Sequence, residues 1–108
     1  MTDLTVAGLL AEHAALLEGA EAVADGAATH WRLDGVAFAI AASGAGEFRL
    51  RREVAAAALR TPDVTPSARG EGWVRFTPAV VDGFAADRAR AWLESAWRHA
   101  DDLVAGED

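Results

Sequence analysis

The dipeptide Asp34-Gly35 constrains this chain more than any other feature, because it stands between two runs of strand-forming residues, Thr29 to Leu33 and Val36 to Ala42. Such a pair suits a two-residue type I′ turn, and a turn that tight sets which residues face one another. Pairing Leu33 with Val36 brings Trp31 opposite Phe38 and Thr29 opposite Ile40, so one face of the hairpin is apolar. The other face then carries His30, Arg32, Ala37, Ala39 and Ala41. A second hairpin follows if Gly44-Ala45-Gly46 forms its loop, with Ala42 facing Phe48 and Ile40 facing Leu50. Arg49 and Arg51 join the polar face in that register.

The segments on either side supply helices. Val6, Leu9, Leu10, His13, Leu16, Leu17 and Ala20 follow the spacing of an amphipathic helix that ends near Glu18, with Thr2, Asp3 and Thr5 as candidate caps and a short strand or loop after it. Glu53 to Arg60 reads as a short alanine-rich helix stopped by Pro62. Thr61 to Gly72, with two prolines and two glycines, reads as a long surface loop. Trp73-Val74-Arg75-Phe76 alternates as a strand with Trp73 and Arg75 on one face. A closing helix from about Val80 or Phe84 to Val104 places Ala85, Ala89, Trp92, Leu93, Ala96, Trp97, Ala100, Leu103 and Val104 on one stripe. Two amphipathic helices and a one-sided antiparallel sheet predict a two-layer α+β fold, with one sheet face covered by helices and the other open. A length of 108 residues fits a single domain spanning 1–108.

The open face is where charge concentrates. Residues 30–76 hold seven of the ten basic residues, all arginine, against five carboxylates, while the remaining residues carry three arginines against twelve carboxylates, for a total of −7. A mildly basic centre between acidic ends points to a local anion-binding surface. The candidate residues are His30, Arg32, Arg49, Arg51, Trp73 and Arg75 on the sheet, with Arg69 on the loop as a rim. Guanidinium forks bind phosphate through two parallel hydrogen bonds, and alanines between them leave a low floor.

Composition excludes several chemistries. There is no cysteine, so disulfides, thiol catalysis and cysteine-ligated metals are ruled out. The absence of lysine removes a P-loop lysine and Schiff-base chemistry. Gly44 and Gly46 lack the rest of a dinucleotide fingerprint, and no serine stands in a nucleophile elbow. No catalytic residue, metal site or cofactor is expected. His13 falls on an apolar stripe and reads as structural, and His99 reads as a charge complementing a helix C-terminus. With no signal-like or membrane-spanning run, the expected location is the cytoplasm.

Two stretches carry a family resemblance. Leu33-Asp34-Gly35-Val36-Ala37-Phe38-Ala39 resembles the hairpin motif of the MmcQ/YjbR family, and Pro66-Ser67-Ala68-Arg69-Gly70-Glu71-Gly72-Trp73-Val74 resembles its arginine-containing loop leading into a tryptophan strand. The terminal tryptophan-bearing helix is similar as well, so the likeness runs from about Leu4 to Ala100. It implies a frataxin-like (CyaY-like) α+β fold and a DNA-binding role. Val36 stands where members commonly carry lysine, which removes one phosphate contact. By the same fold analogy Glu18, Glu21 and Asp25 resemble the acidic ridge with which frataxins bind iron, but scattered surface carboxylates read as solubilising.

Three functional readings follow. The first is weak, non-specific contact with DNA phosphates through the arginine face. The second is a protein-interaction surface, including a homodimer, built on Trp73 and the alanine floor. The third is a small-ligand, small-anion or enzymatic site, for which His30 or a carboxylate of the arginine-lined face would supply the chemistry. The bland alternative for each arginine is a solvated surface charge.

Overall fold

Thr5 opens the first element by accepting the Gly8 N–H on its hydroxyl at 3.0 Å, a side-chain cap that starts α1 (Val6–Ala14). The computed structural model describes residues 4–106. Val6, Leu9, Leu10 and Ala14 are the buried positions of α1, and the helix stops there, short of Glu18. Leu16, counted on the helical stripe from its spacing, is 78% exposed, while Leu17 packs on the core from the following turn.

Six antiparallel strands follow: β1 (Ala20–Asp25), β2 (Ala28–Leu33), β3 (Val36–Ala42), β4 (Ala45–Arg49), β5 (Val64–Pro66) and β6 (Trp73–Phe76). Their order in the sheet is β1-β2-β3-β4-β6-β5. A short helix, α2 (Arg52–Ala58), links β4 to β5, and α3 (Gly83–Val104) closes the chain. Asp82 caps α3 by accepting the Ala85 N–H at 2.9 Å. Both α1 and α3 pack on the same side of β3 and β4 and on each other. The fold is therefore α+β, with helices on one sheet face.

The first turn forms as expected. Asp34 and Gly35 both have positive φ, 47° and 82°, as a type I′ turn requires, and Leu33 pairs with Val36. Beyond Arg32 and Ala37 the register shifts, because Phe38 is an extra residue in β3 and Trp31 pairs with Ala39 rather than Phe38. This bulge leaves Phe38 and Ala39 both fully buried and reverses the alternation that follows. Ala39 and Ala41 consequently belong to the core under the helices, and Ile40 takes the opposite face, where it pairs with His30 and Glu47. Of the expected alanine floor, only Ala37 stays opposite Arg32.

The second turn is Ser43-Gly44, also at positive φ, so Ala42 pairs with Ala45 and Ala39 with Phe48. Ala45 and Gly46 thus lie in β4 and not in a loop. Gly46 sits on the core face, where a Cβ would meet Phe48 and Val6 at 3.0 Å and Leu10 at 3.3 Å. Lack of a side chain at this position is what lets α1 lie against β4. Part of the expected Thr61–Gly72 loop is ordered as β5, an edge strand of three residues held by β6. Its Pro66 lacks an N–H, which suits an edge.

Trp31 is the tryptophan buried most deeply, at 2% exposure. Trp92 is half-buried and packs edge-on against Phe76, with ring centroids 5.0 Å apart, and tilted against Phe48 at 6.1 Å. Trp97 donates its indole N–H to the Glu18 carbonyl at 3.0 Å, which ties α3 to the turn after α1. Trp73, by contrast, lies on the face opposite Val74 and Phe76, which are buried.

Two outcomes test this packing by chemical denaturation. Gly46→Ala is expected to destabilise the fold by about 1–3 kcal/mol, as overpacking does. Trp92→Ala is expected to cost about 3–5 kcal/mol and Trp73→Ala clearly less, since only the first removes an aromatic anchor from the core. Equal losses for the two tryptophans would place the Trp73 ring in the core.

Candidate anion-binding site

Strand pairing assembles the open face one residue per strand. Val23, His30, Ile40, Glu47, Arg75 and Thr65 are successive cross-strand partners from β1 to β5 and form one row across the sheet. Beside it, Glu21, Arg32 and Ala37 form a second row. At the other end, Arg49 pairs with Trp73.

Glu47 organises the densest part of this face. Its side chain is only 13% exposed. One carboxylate oxygen accepts a short hydrogen bond from the Ser67 hydroxyl, and the other accepts from Arg69 Nε at 3.0 Å. The Ser67 oxygen in turn accepts the Arg69 backbone N–H at 3.2 Å, while Ser67 donates its own N–H to the Trp73 carbonyl at 3.0 Å. The loop after β5 is thereby folded over the sheet, and the Arg69 guanidinium is held in place. Charge-assisted hydrogen bonds of this kind are the stronger ones, and here they act in a partly desolvated setting. Around them lies a hollow of about 570 Å³ lined by Glu47, Thr65, Pro66, Ala68, Arg69 and Arg75. Arg75 is half-buried and makes no ion pair among the described residues, even though Glu47 is its cross-strand neighbour.

The remaining candidates are dispersed. His30 is on the row, with Nε2 3.4 Å from Asp25 on the edge strand. Arg32 is exposed and unpaired among the described residues, three strands from Arg75, or roughly 14 Å at ordinary strand spacing. Arg51 is not on the face: β4 ends at Arg49, Leu50 turns into the core, and Arg51 forms an ion pair with Asp102 of α3. Arg49, at the end of β4, lines a different groove together with α2 and His99. The seven expected residues therefore divide: Arg69 and Arg75 line the hollow, Trp73 lies between Arg75 on its own strand and its cross-strand partner Arg49, which lines the other groove, His30 and Arg32 lie further along the sheet, and Arg51 is at the helical end. Glu47, Ser67 and Thr65 were missed. The parity that placed Arg49 on the polar face would have placed Glu47 there too.

Two further expectations concern titratable groups. His13, on α1, lies 3.7 Å from Glu94 of α3, too long for a hydrogen bond, and its Nε2 is enclosed. His99 does not complement the helix terminus as a cation. Burial, and after it the charges of Arg51 and then Arg49, push its imidazole below the ordinary value of 6.5. Among the described residues no group of three or more His, Asp or Glu is gathered to hold a metal. No described helix is long and apolar enough to cross a membrane.

Comparison with protein-family models, curated proteins and solved structures finds no match.

The His99 shift has a definite sign. Below pH 6.5 the unfolded chain binds a proton that folded His99 resists, so this group's contribution to stability is complete above that pH and is lost as pH falls below it. Unfolding free energies measured between about pH 7 and pH 5.5 are expected to drop less for His99→Gln than for the natural chain. Parallel curves for the two proteins would show that His99 titrates normally.

Proposed function

We propose that this protein is a phosphate-binding module, MmcQ/YjbR-like in build, that seats a phosphate group of its ligand against Arg75 in the hollow beside Glu47. The observation that carries this reading is Arg75, a half-buried residue that lines the hollow and has no carboxylate partner among the described residues. A partly desolvated guanidinium gains more from an anion than a solvated one does, because the effective dielectric around it is lower. Thr65 lines the same hollow, and Arg69, oriented by Glu47, stands beside it.

Glu47 restricts what can bind. It offsets part of the positive charge, so the site suits one phosphate group rather than a dense polyanion. The family resemblance offers DNA as the source of that phosphate. A duplex track draws less support, since Arg51 is engaged by Asp102, Arg69 is engaged by Glu47, and the chain carries −7. The protein-partner reading loses its alanine floor, because Ala39 and Ala41 lie in the core.

Pyrophosphate is expected to raise the thermal midpoint of the natural chain in a saturable way, and Arg75→Ala to abolish the effect while folding normally. With labelled duplex at low salt, binding governed by two contacts would have a log–log salt slope of about −2, from roughly −0.9 per phosphate. A response to pyrophosphate unchanged by Arg75→Ala would overturn the assignment. A slope near −4 or steeper would favour a DNA track over a single-phosphate site.

A further inference from the structure

The hollow at Arg75 is not the only recess with unpaired arginines. A second groove, of about 440 Å³, runs between α2, α3 and the end of β4. That volume falls in the ordinary range for small-molecule sites, roughly 300–1,000 Å³. Its apolar wall is made by the exposed Ala56 and Leu59, with the buried Leu50 and Ala55 beneath them. Leu59 is 40% exposed at the lip, an apolar side chain that the fold leaves uncovered.

The polar groups of the groove are equally specific. Arg49 and Arg52 both line it, and neither forms an ion pair among the described residues. The neighbouring Arg51 forms an ion pair with Asp102, which links the start of α2 to α3. His99 lines the same groove. Glu71 at the rim is the one carboxylate of the lining. Two guanidiniums against one carboxylate leave a net charge that suits a monoanion better than a dianion.

From these features we infer that the α2–α3 groove binds an amphipathic monocarboxylate, with the carboxylate between Arg49 and Arg52 beside His99 and the aliphatic or aromatic body along Ala56 and Leu59, above the buried Leu50 and Ala55. The class follows from the division of the lining into one apolar wall and one cationic end. A bare inorganic anion would leave the wall unused, and an apolar amine would meet two positive charges. Burial, and after it the charges of Arg51 and Arg49, oppose protonation of His99, so the cationic end of the groove is made by Arg49 and Arg52. This site is separate from the hollow at Arg75 and stands on different residues.

Hexanoate is a suitable probe, with acetate and hexylamine as the matched compounds lacking the tail or the negative charge. In two-dimensional NMR titrations of the full chain, hexanoate is expected to shift the resonances of Leu50, Ala55, Leu59 and the His99 ring along saturable curves. Acetate should bind at least roughly tenfold more weakly, consistent with about 0.8 kcal/mol for each buried methylene. Hexylamine should leave these resonances unmoved. Arg52→Ala, at an exposed position, is expected to weaken hexanoate at least roughly tenfold, as loss of a charge-assisted hydrogen bond does. Arg75→Ala should leave the hexanoate affinity unchanged. Absence of saturable shifts with hexanoate, equal affinities for hexanoate and acetate, or an unaltered affinity in Arg52→Ala would each overturn the inference.

Discussion

The contact between the alanine stripe of α3 and the aromatic face of the sheet is the constraint on which the rest of this structure depends. Ala85, Ala89, Leu93, Ala96 and Ala100 are buried along α3, while the sheet contributes Trp31, Phe38, Phe48 and Phe76 to the same core. Small residues on the helix and large ones on the strands interlock, which allows the helix to approach closely while the rings fill the space below it. Trp92 meets Phe48 and Phe76 beside that stripe, and α1 completes the layer through the gap left by Gly46. Because both helices lie on one side, the reverse face of the sheet must be finished with polar side chains.

How that reverse face is finished distinguishes this protein from a generic basic surface. Arginines on an open sheet would ordinarily be solvated and interchangeable. Here Glu47 sits among them, draws the Ser67–Arg69 loop across the sheet and leaves Arg75 lining the hollow so formed with no ion-pair partner among the described residues. The same economy of charge operates at the other end, where Asp102 engages Arg51 and leaves Arg49 and Arg52 facing the α2–α3 groove. In each place one internal ion pair immobilises a segment, and the arginines beside it are left available to a ligand.

Much of the scaffold was legible in the residues, and the errors have identifiable causes. Asp34-Gly35 could be recognised because a two-residue turn with positive φ at both positions admits few sequences. The stripe of α3 was readable because it is long and its period unambiguous. The second turn was misplaced because Ser43-Gly44 and Gly44-Ala45-Gly46 are both acceptable turn sequences, and the small flanking residues Ala42 and Ala45 gave no apolar contrast to choose between registers. The bulge at Phe38 was invisible because Phe38 and Ala39 each suit a core strand, and only their simultaneous burial under α3 makes an extra residue favourable. Arg51 was placed on the face by continuing the alternation of β4, but the strand ends at Arg49 where Leu50 turns into the core.

Sequence alone determined the class of the fold, the one-sided cover of the sheet, the first hairpin and the concentration of arginine in the middle of the chain. These properties depend on local turn chemistry, on hydrophobic periodicity and on composition, all of which act over a few neighbouring residues. Tertiary structure alone decided which arginines are neutralised and which remain free. Ser67 and Arg69 reach Glu47 across 20 and 22 residues of chain, and Arg51 reaches Asp102 from the start of α2 to the last turns of α3. Such pairings depend on strand register and helix placement, because a one-residue slip in a sheet moves a side chain to the opposite face.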